Sequence, residues 1–241
     1  MIHLPTAWWA HYIGDLAAWS GAALAARWQY RRWPEAAHAL ARLTTPSYHV
    51  SLALGALAGA WLLGSANSLH SIAAAPSHSV AGALAGGIIA VELWKWRHGV
   101  QQSTGAAYVL PLSVGIALGR LGCLFSGLPD FTYGIPTTMP WGFDLGDGVA
   151  RHPVQLYESL AMALFAMVFI AARKRGDEWT QAHAFHALII FYAAQRFVWE
   201  FFKPYPKLIG PLNIFHLLML GFAVYGLVWW RRGGDEPATD D

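Results

Sequence analysis

The sequence predicts an all-α, polytopic membrane protein of about seven transmembrane helices, with its N-terminus outside and its C-terminus in the cytoplasm. Three observations predict this. Of the 241 residues, 56% are hydrophobic and only 12% are charged, against about 25% charged in a soluble domain, and the mean hydropathy is +0.35. The apolar residues fall into stretches near the roughly 20 residues that cross a bilayer. Basic residues alternate from one inter-stretch loop to the next, as the positive-inside rule requires.

The first stretch runs over Ala7–Trp28. It lacks the basic start and small-residue cleavage site of a signal peptide, so it is read as a span. The others run over Ser47–Ala66, Ser79–Trp96, Gly105–Phe125, Pro153–Ala172, Ala182–Phe202 and Gly210–Trp230. The third is rich in small residues, and "AGALAGG" allows close helix–helix approach. Residues 1–232 are expected to form one transmembrane bundle with an outer-face loop over 122–152. The end of the chain, 233–241, reads as a disordered acidic tail.

Orientation follows from charge. Arg27, Arg31, Arg32 and Arg42 follow the first stretch, Lys95 and Arg97 the third, Arg173–Arg175 the fifth, and Arg231 and Arg232 the seventh. These loops share one side, which is then cytoplasmic. The net charge of +2 is too small to suggest a nucleic-acid partner. Cys123 is the one cysteine, so no intrachain disulfide is possible. The 13 Trp cluster at stretch ends, as in an interfacial belt.

Polar residues interrupt the apolar sequence at three places, all expected on the outer side. The first is "GRLGCLFSGLPDFTYGIPTTMPWGFDLGDG", rich in Gly and Pro, with Arg120 near its start. The second is "RHPVQLYE", Arg151 to Glu158, where Pro153 suits a helix first turn because its missing N–H costs little there. In the third, "FYAAQRFVWEFFKPYP", Tyr192, Arg196, Glu200 and Lys203 recur about once per turn and share a helix face. An arginine in a span costs about 2.5–3.5 kcal/mol on insertion scales. Arg120 and Arg196 are therefore candidates for an anion site, since guanidinium pairs with phosphate through two parallel hydrogen bonds. The bland alternative pairs Arg196 with Glu200, and Glu158 with one of the arginines. Glu92 reads as an interfacial residue paired with Lys95 or Trp96. Cys123 reads as a small buried residue rather than a nucleophile.

"GRLGCLFSG", "YGIPTTMPWG", "RHPVQLYE" and "YAAQRFVWEFFKPYP" resemble, in order and spacing, the successive blocks of the prolipoprotein diacylglyceryl transferase family. The resemblance implies a reaction. The diacylglyceryl group of phosphatidylglycerol passes to a cysteine thiol of a lipobox-containing preprolipoprotein, at the outer face of the bacterial inner membrane, and glycerol phosphate leaves. It implies no metal, nucleotide or other cofactor. Arg120, Arg196 and Glu158 match the family's catalytic positions. Arg151, His152, Gln155, Tyr157, Tyr192 and Glu200 match its substrate-binding motifs.

Two departures concern the thiol side. The family carries a histidine, proposed as the base, in a block that aligns with "AGALAG", and Ala81 stands there. His78, nearly one turn earlier, is either a substitute base or an interfacial histidine. Cys123 stands where the family has asparagine. These departures keep two alternatives open: a transferase of the same fold with a non-lipoprotein acceptor, and a non-catalytic phospholipid-binding membrane protein.

Overall fold

The computed structural model describes residues 1–68 and 77–233. Most of the acidic tail expected over 233–241 therefore lies outside the described residues. The chain divides into two compact units: Met1–Arg32 with Gly105 onward, and Trp33–Thr104.

In the first unit, β1 (Ile2–His3) leads into α1 (Ala10–Arg32). In the second, α2 (Glu35–Leu43) precedes α3 (Pro46–Ser68) and α4 (Val80–His98). The first unit resumes with a 3₁₀ turn, Gly105–Tyr108, that feeds α5 (Val109–Ser126). A second 3₁₀ turn, Leu128–Asp130, then precedes β2 (Phe143–Asp144) and β3 (Ala150–Arg151). The remaining helices are α6 (Val154–Arg175), α7 (Trp179–Ala182), α8 (Ala184–Trp199, continued as 3₁₀ over Glu200–Phe202) and α9 (Ile214–Gly233).

Every expected span has a helix over it. Among the described residues, four qualify by length and apolarity as membrane-crossing segments: Pro46–Asn67, Gly105–Ser126, Val154–Arg175 and Ile214–Arg232. Two of the other three miss for visible reasons. α8 has 16 residues, and α4 carries Glu92, Lys95 and Arg97. Lys95 pairs with Glu92 at 3.2 Å, as expected. α5 runs through Ser126, so Arg120 and Cys123 sit on a helix. The irregular segment starts at Gly127, whose φ of +73° ends it.

In the second unit, α3 and α4 touch backbone to backbone. A Cβ on Gly59 would stand 2.2 Å from the Gly82 carbonyl oxygen, and one on Gly86 2.0 Å from that of Gly55. The small-residue stretch is used as the sequence suggests. Ser79 caps α4, its hydroxyl accepting the Gly82 N–H at 3.2 Å. Tyr48 donates to Thr104 at 2.9 Å and packs edge-on against Trp94.

In the first unit, α1 meets α5 at Gly14 and Gly122, where a Cβ on Gly14 would lie 2.3 Å from the Gly122 Cα. Gln29 of α1 serves the start of α5. Its amide donates to the Ala106 carbonyl at 3.0 Å and accepts from the Leu110 N–H at 3.2 Å. Val154, Met162, Leu188, Ile189 and Met219 form a dry core among α6, α8 and α9. The strands make a small sheet, β1 parallel to β2 and β2 antiparallel to β3. It is anchored by Asp144, which accepts N–H bonds from Gly146, Asp147 and Gly148 at 2.9, 3.1 and 2.9 Å.

Candidate active site

α5, α6 and α8 each place one ionised residue at a common point within the first unit. Arg120 Nε lies 2.5 Å from Glu158 Oε2. Arg196 Nη2 lies 3.0 Å from Glu200 Oε1, and its Nη1 lies 3.7 Å from Glu158 Oε1. Lys203, just past the 3₁₀ turn, reaches both carboxylates, at 2.6 Å to Glu158 and 3.3 Å to Glu200. All five residues are buried. Arg196 and Glu200 meet because they are one turn apart on one face, and Glu158 faces them because it stands in the first turns of α6.

Both structural pairings allowed by the sequence are thus present, but they do not close the charge balance. Three cations share two carboxylates, which leaves one positive charge in a site removed from water. Isolated charge of that kind is expensive to bury. Nearby polar atoms lack partners as well. Gln155, one turn before Glu158 and 1% exposed, has no hydrogen bond at either amide atom, and Arg196 Nε has none. Tyr192 accepts from Arg196 Nη1 at 3.4 Å. Net positive charge, a tyrosine hydroxyl and an unpaired amide together can hold a monoanion rich in oxygen acceptors, such as a phosphodiester.

The other expected site residues lie elsewhere. His152 and Tyr157 belong to an aromatic group with Trp199 and Phe202. There the Tyr157 hydroxyl accepts from Trp141 Nε1 at 2.9 Å and stands 3.4 Å from His152 Nδ1. Arg151 binds Asp147 through two bonds, 2.6 and 2.7 Å, and its guanidinium stacks over Tyr133. That pair holds the Asp147 carboxyl below its ordinary range. His78 belongs to the other unit, exposed just before α4.

Several participants were not assigned from the sequence. Lys203 was visible in the four-residue stripe but not as the link between Glu158 and Glu200. Asn213 donates to Glu200 Oε2 at 3.1 Å, and its own oxygen caps α9 by accepting the His216 N–H at 3.0 Å. Its position before an apolar helix signals the cap but not the bond to Glu200. His11 pairs with Asp130 at 2.9 Å, close to half-buried Cys123. Burial would raise the Asp130 carboxyl, but hydrogen bonds from His11 and Thr132 hold it below its ordinary range.

A phosphatidylglycerol–prolipoprotein diacylglyceryl transferase of Geobacter sulfurreducens is 36% identical over 134 residues, 50% of this chain and 49% of that protein. The protein of that name from Cupriavidus metallidurans is 31% identical over 174 residues, 64% of this chain and 62% of its own. That from Wolinella succinogenes is 34% identical over 157 residues, 62% and 55% respectively. The matched part therefore spans from about half to about three-fifths of these relatives. No solved structure matches. The family profile described as prolipoprotein diacylglyceryl transferase covers residues 13–232, including the whole charged cluster, and the chain belongs to that family.

Proposed function

We propose that this multi-pass membrane protein transfers the diacylglyceryl group of phosphatidylglycerol to the cysteine thiol of a lipobox-containing preprolipoprotein. The reaction would take place at the outer face of a bacterial inner membrane. One observation carries the proposal: the buried surplus of positive charge shared by Arg120, Arg196 and Lys203 against Glu158 and Glu200. Phosphatidylglycerol brings a single negative charge at its phosphodiester. When the glyceryl carbon–oxygen bond breaks, the leaving glycerol phosphate gains another. Fixed cations aimed at that oxygen favour the transition state over the ground state.

Each residue then has a task. Arg120 and Arg196 bind the phosphate oxygens. Glu158 and Glu200 hold the guanidiniums in place, and Lys203 ties the two carboxylates together. Gln155 offers its free amide to the glycerol headgroup or a phosphate oxygen. Tyr192 orients Arg196. His152, Tyr157 and Arg151 wall the outer rim.

A transferase of the same fold with another acceptor is the second reading. Ala81 favours it: the residue is fully buried against neighbouring helix, so no base stands where the family has one. The test is incubation of the purified protein with phosphatidylglycerol vesicles and a synthetic lipobox peptide, followed by mass spectrometry. The expected product is the peptide carrying one thioether-linked diacylglyceryl group, with release of glycerol phosphate. Phosphatidylglycerol binding without peptide modification would favour the other acceptor.

A further inference from the structure

The surplus charge of the site is shared by three basic residues, and one of them can give it up. A guanidinium keeps its proton in a protein, whereas a buried lysine amine can lose it. Lys203 is 1% exposed and follows the 3₁₀ turn that ends α8. Its Nζ donates to Glu158 Oε1 at 2.6 Å and to Glu200 Oε1 at 3.3 Å. Among the described residues these are its only hydrogen-bond partners. An ammonium has three N–H groups to satisfy, and an uncharged amine has two. The protein therefore satisfies the amine in full and leaves the ammonium one buried donor short, which is unfavourable.

We propose that Lys203 carries a proton through the reaction: it is uncharged before the donor binds, takes up a proton with phosphatidylglycerol and releases it on glycerol phosphate; this rests on the donor site proposed above. With Lys203 uncharged, Arg120 and Arg196 match Glu158 and Glu200, and no isolated charge is buried. The phosphodiester brings one negative charge, and a proton on Lys203 restores the match. The third N–H then finds its acceptor in a phosphate oxygen. The positive surplus is thus present when a phosphate is there to use it.

The surroundings favour this exchange. Glu158 on α6, Glu200 and Arg196 at the end of α8, and Arg120 on α5 all act on Lys203, and the Tyr205 ring centre lies 5.7 Å from its Nζ. His216 on α9 stands behind Asn213, which donates to Glu200. Burial first, and then Arg196, hold the Lys203 amine below its ordinary range against the pull of the two carboxylates.

Turnover needs a proton that can leave. Glycerol phosphate carries one charge more than the donor, so three permanent cations would hold the product more tightly than the substrate. In the transfer, the acceptor thiol loses its proton to water and its sulfur electron pair forms the bond to the glyceryl carbon. The carbon–oxygen bond breaks, and its electron pair stays on the phosphate oxygen. The Lys203 proton passes to that oxygen, glycerol hydrogen phosphate departs as a monoanion, and the site returns to balance.

The test uses the full-length protein in detergent and phosphatidylglycerol in mixed micelles, with binding followed by calorimetry in buffers of different ionisation heat. The expected result is uptake of about one proton per donor over neutral to mildly alkaline pH, with affinity falling by up to about tenfold per pH unit as the pH rises. In Lys203→Arg the uptake and the pH slope disappear while donor affinity stays close to wild type. Its turnover on a lipobox peptide falls by about tenfold or more, a loss in kcat rather than KM, and glycerol phosphate inhibits it more strongly. A purely structural lysine would show neither the uptake nor that split. Donor binding by the wild type with no proton uptake and a flat pH profile overturns the assignment, whether or not the variant folds. Wild-type turnover by a folded Lys203→Arg overturns it as well. Absence of donor binding in the wild type overturns the donor site and the proton carrier with it. Proton-linked donor binding without peptide modification supports the carrier and overturns the thiol acceptor instead.

Discussion

Glu158 accepts from Lys203, forms an ion pair with Arg120 and lies 3.7 Å from Arg196, so three cations depend on one carboxylate. Glu158→Gln leaves them facing Glu200 alone. Breaking a buried pair costs about 3–5 kcal/mol, so this variant should melt several degrees lower. It should lose most transfer activity while still inserting in the membrane. Turnover equal to wild type would remove Glu158 from the site. Lys203→Met should weaken phosphatidylglycerol binding by roughly ten- to a hundredfold, the scale of a charge-assisted hydrogen bond, and Lys203→Arg should recover much of it. Vesicle-binding titrations read both. The arginines and glutamates were legible because a charge in an apolar run needs a reason to be there. The place of Lys203 was not, because its closest partner, Glu158, stands 45 positions away. The cysteine–histidine–aspartate group was hidden likewise, since His11 reaches Cys123 only through the packing of α1 on α5.

Helix pairing within each unit depends on bare backbone. Gly122→Val should separate α1 from α5, because even a Cβ there would lie 2.6 Å from the Gly14 Cα. A loss of about 3 kcal/mol or more is expected for such overpacking, measured as a lower melting midpoint. The three-stranded sheet has its own sensitivity. Asp144 is held below its ordinary 3.8 by the N–H groups of Gly146 and Gly148. Its contribution is therefore complete above that pH and is lost as the pH falls through the lower folded value. Amide exchange over 143–151 should accelerate in acid and become insensitive to acid in Asp144→Asn. Small residues made the close helices legible, and apolar length located seven helices to within a few residues. The loop expected to begin at 122 begins instead at Gly127, because "GRLGCLFS" carries glycines and an arginine yet stays helical through Ser126. The short α2 was read as loop because its nine residues cannot span a membrane.

At the scale of the molecule, composition and charge alternation made a polytopic membrane protein legible, and the family profile over 13–232 agrees. Seven crossings with the N-terminus outside remain the expectation from charge. Single cysteines introduced into a Cys123→Ser background check it. Positions near Arg42 and Lys174 should be shielded from an impermeant thiol reagent in intact cells, and positions near Asp147 should react. The opposite pattern would invert the bundle. The central claim is that the buried cationic surplus is the donor-phosphate site. Its most direct test is transfer of labelled diacylglyceryl from phosphatidylglycerol to a lipobox peptide by wild type, Arg120→Ala and Arg196→Ala, with donor binding measured in parallel. Loss of transfer by about 100-fold or more in each variant, together with weakened donor binding, is the predicted result. Undiminished binding and transfer in both variants would contradict it.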